Sequence, residues 1–226
     1  MAIKGRSVLL VCNDIPPDEE AGFNDWYIRE HLPERANGLP GFNRGRRYRA
    51  LYDTPRYLAL YETDGPAALT SPEYLALVRD PDPRSRRYIP QFQRASRTIL
   101  SVTASSGIGE GGVIAILGLR PRPDAETALR DQLAALVREQ LPRTPGIVAA
   151  HLLEKDADAL TASRRGHMRH GDVELSWVLA VEAVDEPAIR ALRRDALSRD
   201  ALAAAGAEAE DLVGVFSLLM TITKGG

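Results

Sequence analysis

The residues best equipped for chemistry are crowded into one short stretch, FNDWYIREHLPE at positions 23–34, which holds three aromatic rings, three carboxylates and His31. An imidazole is the side chain whose ordinary pKa lies nearest neutrality, so His31 is the natural proton-transfer group, as general base or general acid. Glu34 or Glu30 would orient the ring, while Phe23, Trp26, Tyr27 and Tyr61 would shape a pocket around the substrate. Tyr48 or Arg47 would stabilise a developing oxyanion. Taken alone, His31 reads as a partly buried histidine satisfied by a neighbouring carboxylate or backbone group; the surrounding rings are what argue for a site.

These side chains need a helix to hold them. At roughly 100° per residue, Ala21, Ile28, Leu32 and Leu39 fall on one side with Ala36 nearby, an aliphatic packing stripe. Phe23, Trp26, Tyr27, Glu30, His31 and Glu34 occupy the opposite arc. Exposing that arc would waste aromatic area and burying all of it would strand ionisable groups, so it is expected to form a half-buried pocket wall.

Around this helix the pattern reads strand (7–13), helix (22–37), strands (43–53 and 56–63), helix (65–79, with Ser71-Pro72 interrupting it or starting its main part) and strand (96–103). This β-α-β-β-α-β order is the ferredoxin-like one. It recurs as strand 111–119, helix 124–141, strands 147–155 and 173–183, a helix from 186 to about 205, and strand 212–222. Pro40-Gly41-Phe42 answers Pro145-Gly146-Ile147, and YLALYE (57–62) answers WVLAVE (177–182). The expected organisation is therefore α+β, with a site-bearing repeat at 1–105, a Gly-rich linker at 106–111 and a repeat with a degenerate site at 112–226. Val8, Leu10 and Cys12 face one side of the first strand while Leu9 and Val11 face the other, so both faces are covered. The two sheets are expected to pack on each other as an α+β barrel closed within one chain, although pairing between chains in a homodimer would bury the same faces. At an offset of 105 the stripe Ile28, Leu32 and Ala36 becomes Leu133, Val137 and Leu141, whereas Trp26, Tyr27 and His31 become Asp131, Gln132 and Leu136. One main ligand cavity is expected, in residues 1–105 and lined by Trp26, Tyr27 and His31.

W-Y-x-x-E-H-L-P-E (Trp26–Glu34), L-P-G-F (Leu39–Phe42), R-R-Y (Arg46–Tyr48) and Y-L-A-L-Y-E (Tyr57–Glu62) resemble the EthD-like branch of the dimeric α+β barrel superfamily over roughly residues 5–104. The resemblance implies a site between the helices and the sheet. It also implies a range of chemistries on small molecules: lactone isomerisation, polyketide cyclisation, dehydration, cofactor-free quinone-forming oxygenation and, in some relatives, haem chemistry. The reading it supports is an enzyme without metal or organic cofactor acting on a small cyclic or aromatic, carbonyl-bearing molecule. The alternatives are a non-catalytic binding protein and a haem-binding tandem barrel, for which His151 is the remote candidate ligand.

The remaining features narrow the class. Tyr48, Tyr57, Tyr61, Tyr74 and Tyr88 suit an aromatic or alicyclic ligand, with Tyr74 among the substrate-binding candidates. His167 and His170, with Asp172 and Glu174 beyond, have H-x-x-H spacing on an arginine-rich segment and read as a solvated loop rather than a metal site. Gly107, Gly109 and Gly112 spell G-x-G-x-x-G, but a strand follows instead of the helix a dinucleotide requires. The single cysteine, Cys12, excludes an intrachain disulfide and lies in an apolar run, as an inert thiol would. The net charge of −2 gives no reason to expect nucleic acid or membrane as a partner, and no apolar run approaches the ~20 residues of a membrane span. A cytoplasmic protein is the expectation.

Overall fold

The computed structural model of the chain describes residues 3–52, 55–163, 169 and 171–224, with residues 209–213 described by their backbone alone. The alternating stretches become eight strands: β1 (Ser7–Asp14), β2 (Phe42–Ala50), β3 (Tyr57–Thr63), β4 (Gln93–Gly107), β5 (Val113–Pro121), β6 (Ile147–Lys155), β7 (Trp177–Ala183) and β8 (Ala207–Thr223). All pair antiparallel in the closed order β1-β3-β2-β8-β5-β7-β6-β4. Each half is a ferredoxin-like sheet, and the seams β2·β8 and β4·β6 join the halves into one barrel within the chain. The architecture is the one expected from the doubly apolar first strands.

The helices lie outside the barrel. α1 (Glu20–Trp26) continues through a π-helical turn, Tyr27–His31, into α2 (Leu32–Gly38). In the position expected for one helix over 65–79, a 3₁₀ turn at Pro66–Thr70 precedes α3 (Pro72–Arg79), which Ser71 starts by accepting the Tyr74 N–H at 3.2 Å. α4 (Pro83–Tyr88) fills what sequence left as a connection, started by Asp82, whose carboxylate accepts the Arg84 and Ser85 N–H groups at 2.8 and 2.9 Å. In the second half come α5 (Glu126–Ala135) with its own π-helical turn at Leu136–Gln140, then the short α6 (Ala157–Ser163), which was not expected. The expected helix from 186 to about 205 is two helices, α7 (Glu186–Arg194) and α8 (Arg199–Ala204), because Ser198 caps a new start. Gly41 and Gly146 both adopt left-handed φ, +74° and +79°, which explains the repeated Pro-Gly before β2 and β6.

Side-chain alternation divides the core. Val8, Leu10, Cys12, Leu58, Leu60, Ile114, Ile116 and Val178 fill the barrel, while Leu9, Tyr57, Ala59, Tyr61 and Ile99 face the helices of the first half. Each buried aliphatic or aromatic side chain contributes about 1.5–3 kcal/mol. Burial pushes the Cys12 thiol far up, so it stays protonated and inert.

The barrel also encloses charge. Glu62 lies opposite Val8 and Arg44, and Glu182 lies opposite Ile114 and Ala149, so the two carboxylates occupy equivalent positions in the two halves. Arg46 and His151 are equivalent as well, opposite Leu60 and Ala180. Arg46 bridges the halves, reaching Glu62 at 2.9 Å and Glu182 at 2.7 Å. Arg44 adds a second hold on Glu62 at 2.8 Å, and the Gly111 N–H donates to Glu182 at 3.0 Å.

The π-helical turn corrects the helical wheel. Leu32 N–H bonds to Tyr27 C=O, five residues back, so the chain rotates less per residue there and the two ends of the helix fall out of phase. Ile28, assigned to the packing stripe, is 38% exposed, and Ala21 is exposed too. The face that packs is Phe23, Trp26, Tyr27, His31, Leu32, Arg35 and Ala36. Close approach to the sheet is possible because β2 has Gly45 beneath it: a Cβ there would meet Leu32 Cδ1 at 2.9 Å. The second π turn begins at Leu136, four residues beyond the position that an offset of 105 assigns to Tyr27, so that offset does not pair equivalent helix positions between the halves.

Candidate functional site

Between the first sheet and its helices lies a cleft of about 720 Å³, counted out to its open mouth. β1 supplies Leu9 and Val11, β3 supplies Tyr61, β4 supplies Ala95 and Arg97, and the π turn supplies Tyr27 and His31. Tyr74, Leu77 and Val78 on α3, with Ile89 and Phe92 after α4, form the opposite wall. The rim comes from the second half: Arg169 and Asp172 line it, because residues 171–173 run beside the start of β4, with Arg97 N–H donating to Val173 C=O at 3.1 Å. The cleft is therefore not confined to residues 1–105.

His31 is 7% exposed and set among rings, its centroid 4.3 Å from that of Trp26 and 4.8 Å from that of Tyr27. Arg35, one turn on, places Nη1 3.0 Å from His31 Nδ1 and also donates to His31 C=O at 3.1 Å and Glu34 Oε2 at 3.0 Å. A guanidinium can only donate, so Nδ1 must accept and the proton of the neutral ring sits on Nε2. Burial first, and then the charges of Arg35 and Arg47, hold the His31 pKa well below its ordinary value. This departs from the expected general base or general acid: the ring is held neutral and presents Nε2–H, which has no partner among the described residues. Sequence reasoning passed over Arg35, which reads as an ordinary surface arginine until the π turn rotates it inward.

Other hydroxyls and cations meet in the same space. Tyr61 donates its O–H to the Tyr27 hydroxyl at 3.1 Å, and burial raises both phenol pKa values. Arg97 donates to the Tyr74 hydroxyl and to Ser163 Oγ, each at 3.1 Å, and pairs with no carboxylate among the described residues. Arg169 is neutralised by Asp172 at 3.0 Å. Arg97 and Arg169 were not anticipated. Neither lies near the 23–34 stretch in sequence, and only the closed barrel brings them to it.

Of the anticipated residues, Tyr27, His31, Tyr61 and Tyr74 line the cleft together. Phe23 and Trp26 are fully buried behind them, packed ring on ring with Tyr88 and Phe92, and Trp26 Nε1 has no partner among the described residues. Arg47 does not meet the cleft; it is sandwiched against Phe23, Tyr27 and Tyr57 at 4.9, 4.2 and 4.6 Å and donates to Asn24 Oδ1 at 2.7 Å. Tyr48 is a correction, because strand alternation turns it into the barrel core on the opposite side of the sheet from His31. Glu30 is spent on a surface ion pair with Arg84, and Glu34 reaches Arg35 rather than the imidazole, so neither orients the ring. Burial raises the Glu34 pKa.

The other histidine readings resolve as follows. His151 is sealed inside the barrel with Nδ1 2.9 Å from Ser105 Oγ and Nε2 3.2 Å from Glu182 Oε1, so it has no ring nitrogen to offer a haem iron. His167 and His170 lie outside the described residues; among those that are described, no cluster of three potential ligands could hold a metal ion. Nor is any described helix long and apolar enough to cross a membrane. The expectation of a single main cavity fails. A hollow around Gln132, Leu136 and Glu139, open to solvent and about 950 Å³ counted out to its mouth, has a more polar lining, although helical residues and the turn after α7 line it, with no strand at its base.

No protein-family model matches this chain, and no curated protein matches it by sequence. Solved structures do. An anthrone oxidase-like protein superposes with a TM-score of 0.64 at 15% identity, covering 97% of this chain and 93% of that one. A candidate monooxygenase from Fusobacterium nucleatum gives 0.63 at 13%, covering 99% and 97%. A candidate chlorite dismutase gives 0.61 at 12%, covering 96% of each. The chain thus has the α+β barrel fold shared by monooxygenase-like and chlorite dismutase-like proteins, and at these identities the likeness shows the fold alone.

Proposed function

We propose that the cleft is the active site of a cofactor-independent enzyme, of the EthD-like kind, that oxidises a small aromatic or alicyclic ketone with an acidic CH₂ group. The observation that carries this reading is the fixed Nε2–H of a neutral His31 in an otherwise aromatic and aliphatic cleft. A flat ring would lie against Tyr27, Tyr61, Phe92 and Leu9, with its carbonyl oxygen on Nε2–H. As the acidic CH₂ loses a proton to water, negative charge moves onto that oxygen, where the imidazole N–H and the carboxylate-free Arg97 stabilise it. The carbanion equivalent then reacts with dioxygen: the CH₂ carbon becomes a second C=O, one oxygen atom enters the product and the other leaves as water. His31 serves as an electrophilic donor, so no ionisable base is required of the protein. The likeness to an anthrone oxidase-like protein and to candidate monooxygenases supports the choice of reaction.

The test is oxygen uptake with a tricyclic ketone of the anthrone class. Wild type should accelerate consumption of one dioxygen per ketone, and His31→Ala should slow turnover by about 10²–10³-fold, the scale for losing one oxyanion donor. Saturable ketone binding without oxygen uptake by either protein would replace this reading with that of a binding protein.

A further inference from the structure

The second half has a space at the place corresponding to the first-half cleft, with different contents. β5 is the counterpart of β1, β8 of β4, and α7–α8 of α3–α4 by strand position and chain order. Leu117, Gly118 and Leu119 of β5 floor a hollow of about 1,090 Å³, open to solvent, between the sheet and α7–α8. Where the first cleft has tyrosines and a histidine, this one has Arg122 after β5, Arg193 near the end of α7 and Arg199 at the start of α8. Among the described residues none of the three forms an ion pair. Arg193 is half-buried and uses one N–H, Nη1, on the Leu197 C=O at 2.8 Å, leaving most of its donors unspent. Burial and then the neighbouring charge of Arg199 lower its pKa. The one described carboxylate in the wall is Glu208.

We propose that this hollow binds a phosphate monoester carrying a small apolar group: Arg193 and Arg199 fork the phosphate, Arg122 closes over it, and the apolar group rests on Leu117 and Leu202. Guanidiniums match phosphate oxygens bidentately. Three arginines and Glu208 leave two net positive charges, which suits a dianionic monoester better than a carboxylate. The site is independent of the ketone reading, since it shares no residue with the first cleft.

Titration calorimetry on the full chain, with phenyl phosphate, inorganic phosphate and benzoate as probes, tests it. Phenyl phosphate should bind one per chain, more tightly than the other two, and more weakly as salt rises. Arg193→Gln and the exposed Arg199→Gln should each weaken it by about tenfold or more, while His31→Ala leaves it unchanged. Arg199→Gln keeps the test decisive if Arg193→Gln fails to fold. Absence of saturable binding, equal affinity for inorganic phosphate and phenyl phosphate, or an affinity indifferent to Arg199→Gln would each overturn the proposal.

Discussion

The barrel interior and the first-half cleft draw on the same side-chain types, and they differ in how far those groups satisfy one another. Inside the barrel, Arg44, Arg46, Glu62, Glu182 and His151 form a circuit in which each charge meets an opposite charge, although Arg46 Nε and the nearby Tyr48 hydroxyl find no partner among the described residues. In the cleft, His31 has an arginine on one ring nitrogen and an unclaimed proton on the other, and Arg97 has only hydroxyls. Buried polar groups that complete each other hold a structure together; those left with spare donors can act on something else. Composition does not separate the two cases, but the pairing of opposite charges does.

Breaking the circuit gives the largest effect. Arg46→Met leaves Glu62 and Glu182 buried without their shared cation, and chemical unfolding should show a loss of about 3–5 kcal/mol. Activity per folded molecule should be unchanged. A drop in catalysis larger than the drop in folded fraction would break the division between the regions.

Acid should separate the regions by pH. Burial pushes the Glu182 carboxyl up, but the hydrogen bond to His151 and the charge of Arg46 outweigh it and hold the pKa at about 2, against an ordinary 4.5. A carboxylate with a depressed native pKa stabilises fully above its ordinary value, and that contribution is lost as pH falls from about 4.5 towards 2. His31 acts at milder pH. Its native pKa is also depressed, so the unfolded chain takes up the proton first, and stability declines as pH falls below the ordinary 6.5. Unfolding free energy measured against pH should show both arms, and His31→Phe should remove the milder one alone.

The smallest effect concerns the tyrosine pair. Tyr61→Phe removes one O–H donor to Tyr27 and should cost about 0.5–1.5 kcal/mol by thermal unfolding. An equal loss from Tyr48→Phe would be a surprise, since the Tyr48 hydroxyl is buried without a partner among the described residues and deleting it should be neutral or stabilising.

Strand faces, the two-half order and the intrachain barrel were legible because period-two alternation survives any detail of packing: Val8, Leu10 and Cys12 face the barrel as read, and Tyr57 and Tyr61 share the helix side. The helix was less legible. A single π turn breaks the 3.6-residue rhythm, which is why Ile28 came out exposed and Arg35 buried. Tyr48 failed for a different reason, since residue type was weighed there without strand parity. Arg97 and Arg169 carry no local signal at all, because their place depends on β4 and on a segment of the other half lying beside it.

Closure through β2·β8 and β4·β6 has a consequence for how the chain is made. β2 pairs with residues about 170 positions further on, Tyr48 with Leu218 for one, so the barrel is sealed only when the eighth of its strands has been made. Such non-local pairing slows folding, because long loops must be closed before their contacts stabilise anything. Until β8 and β6 emerge from the ribosome, β2 and β4 are open sheet edges able to pair with another nascent chain. Four arginines in nine residues make β2 an edge that repels its own copy while it waits for β8.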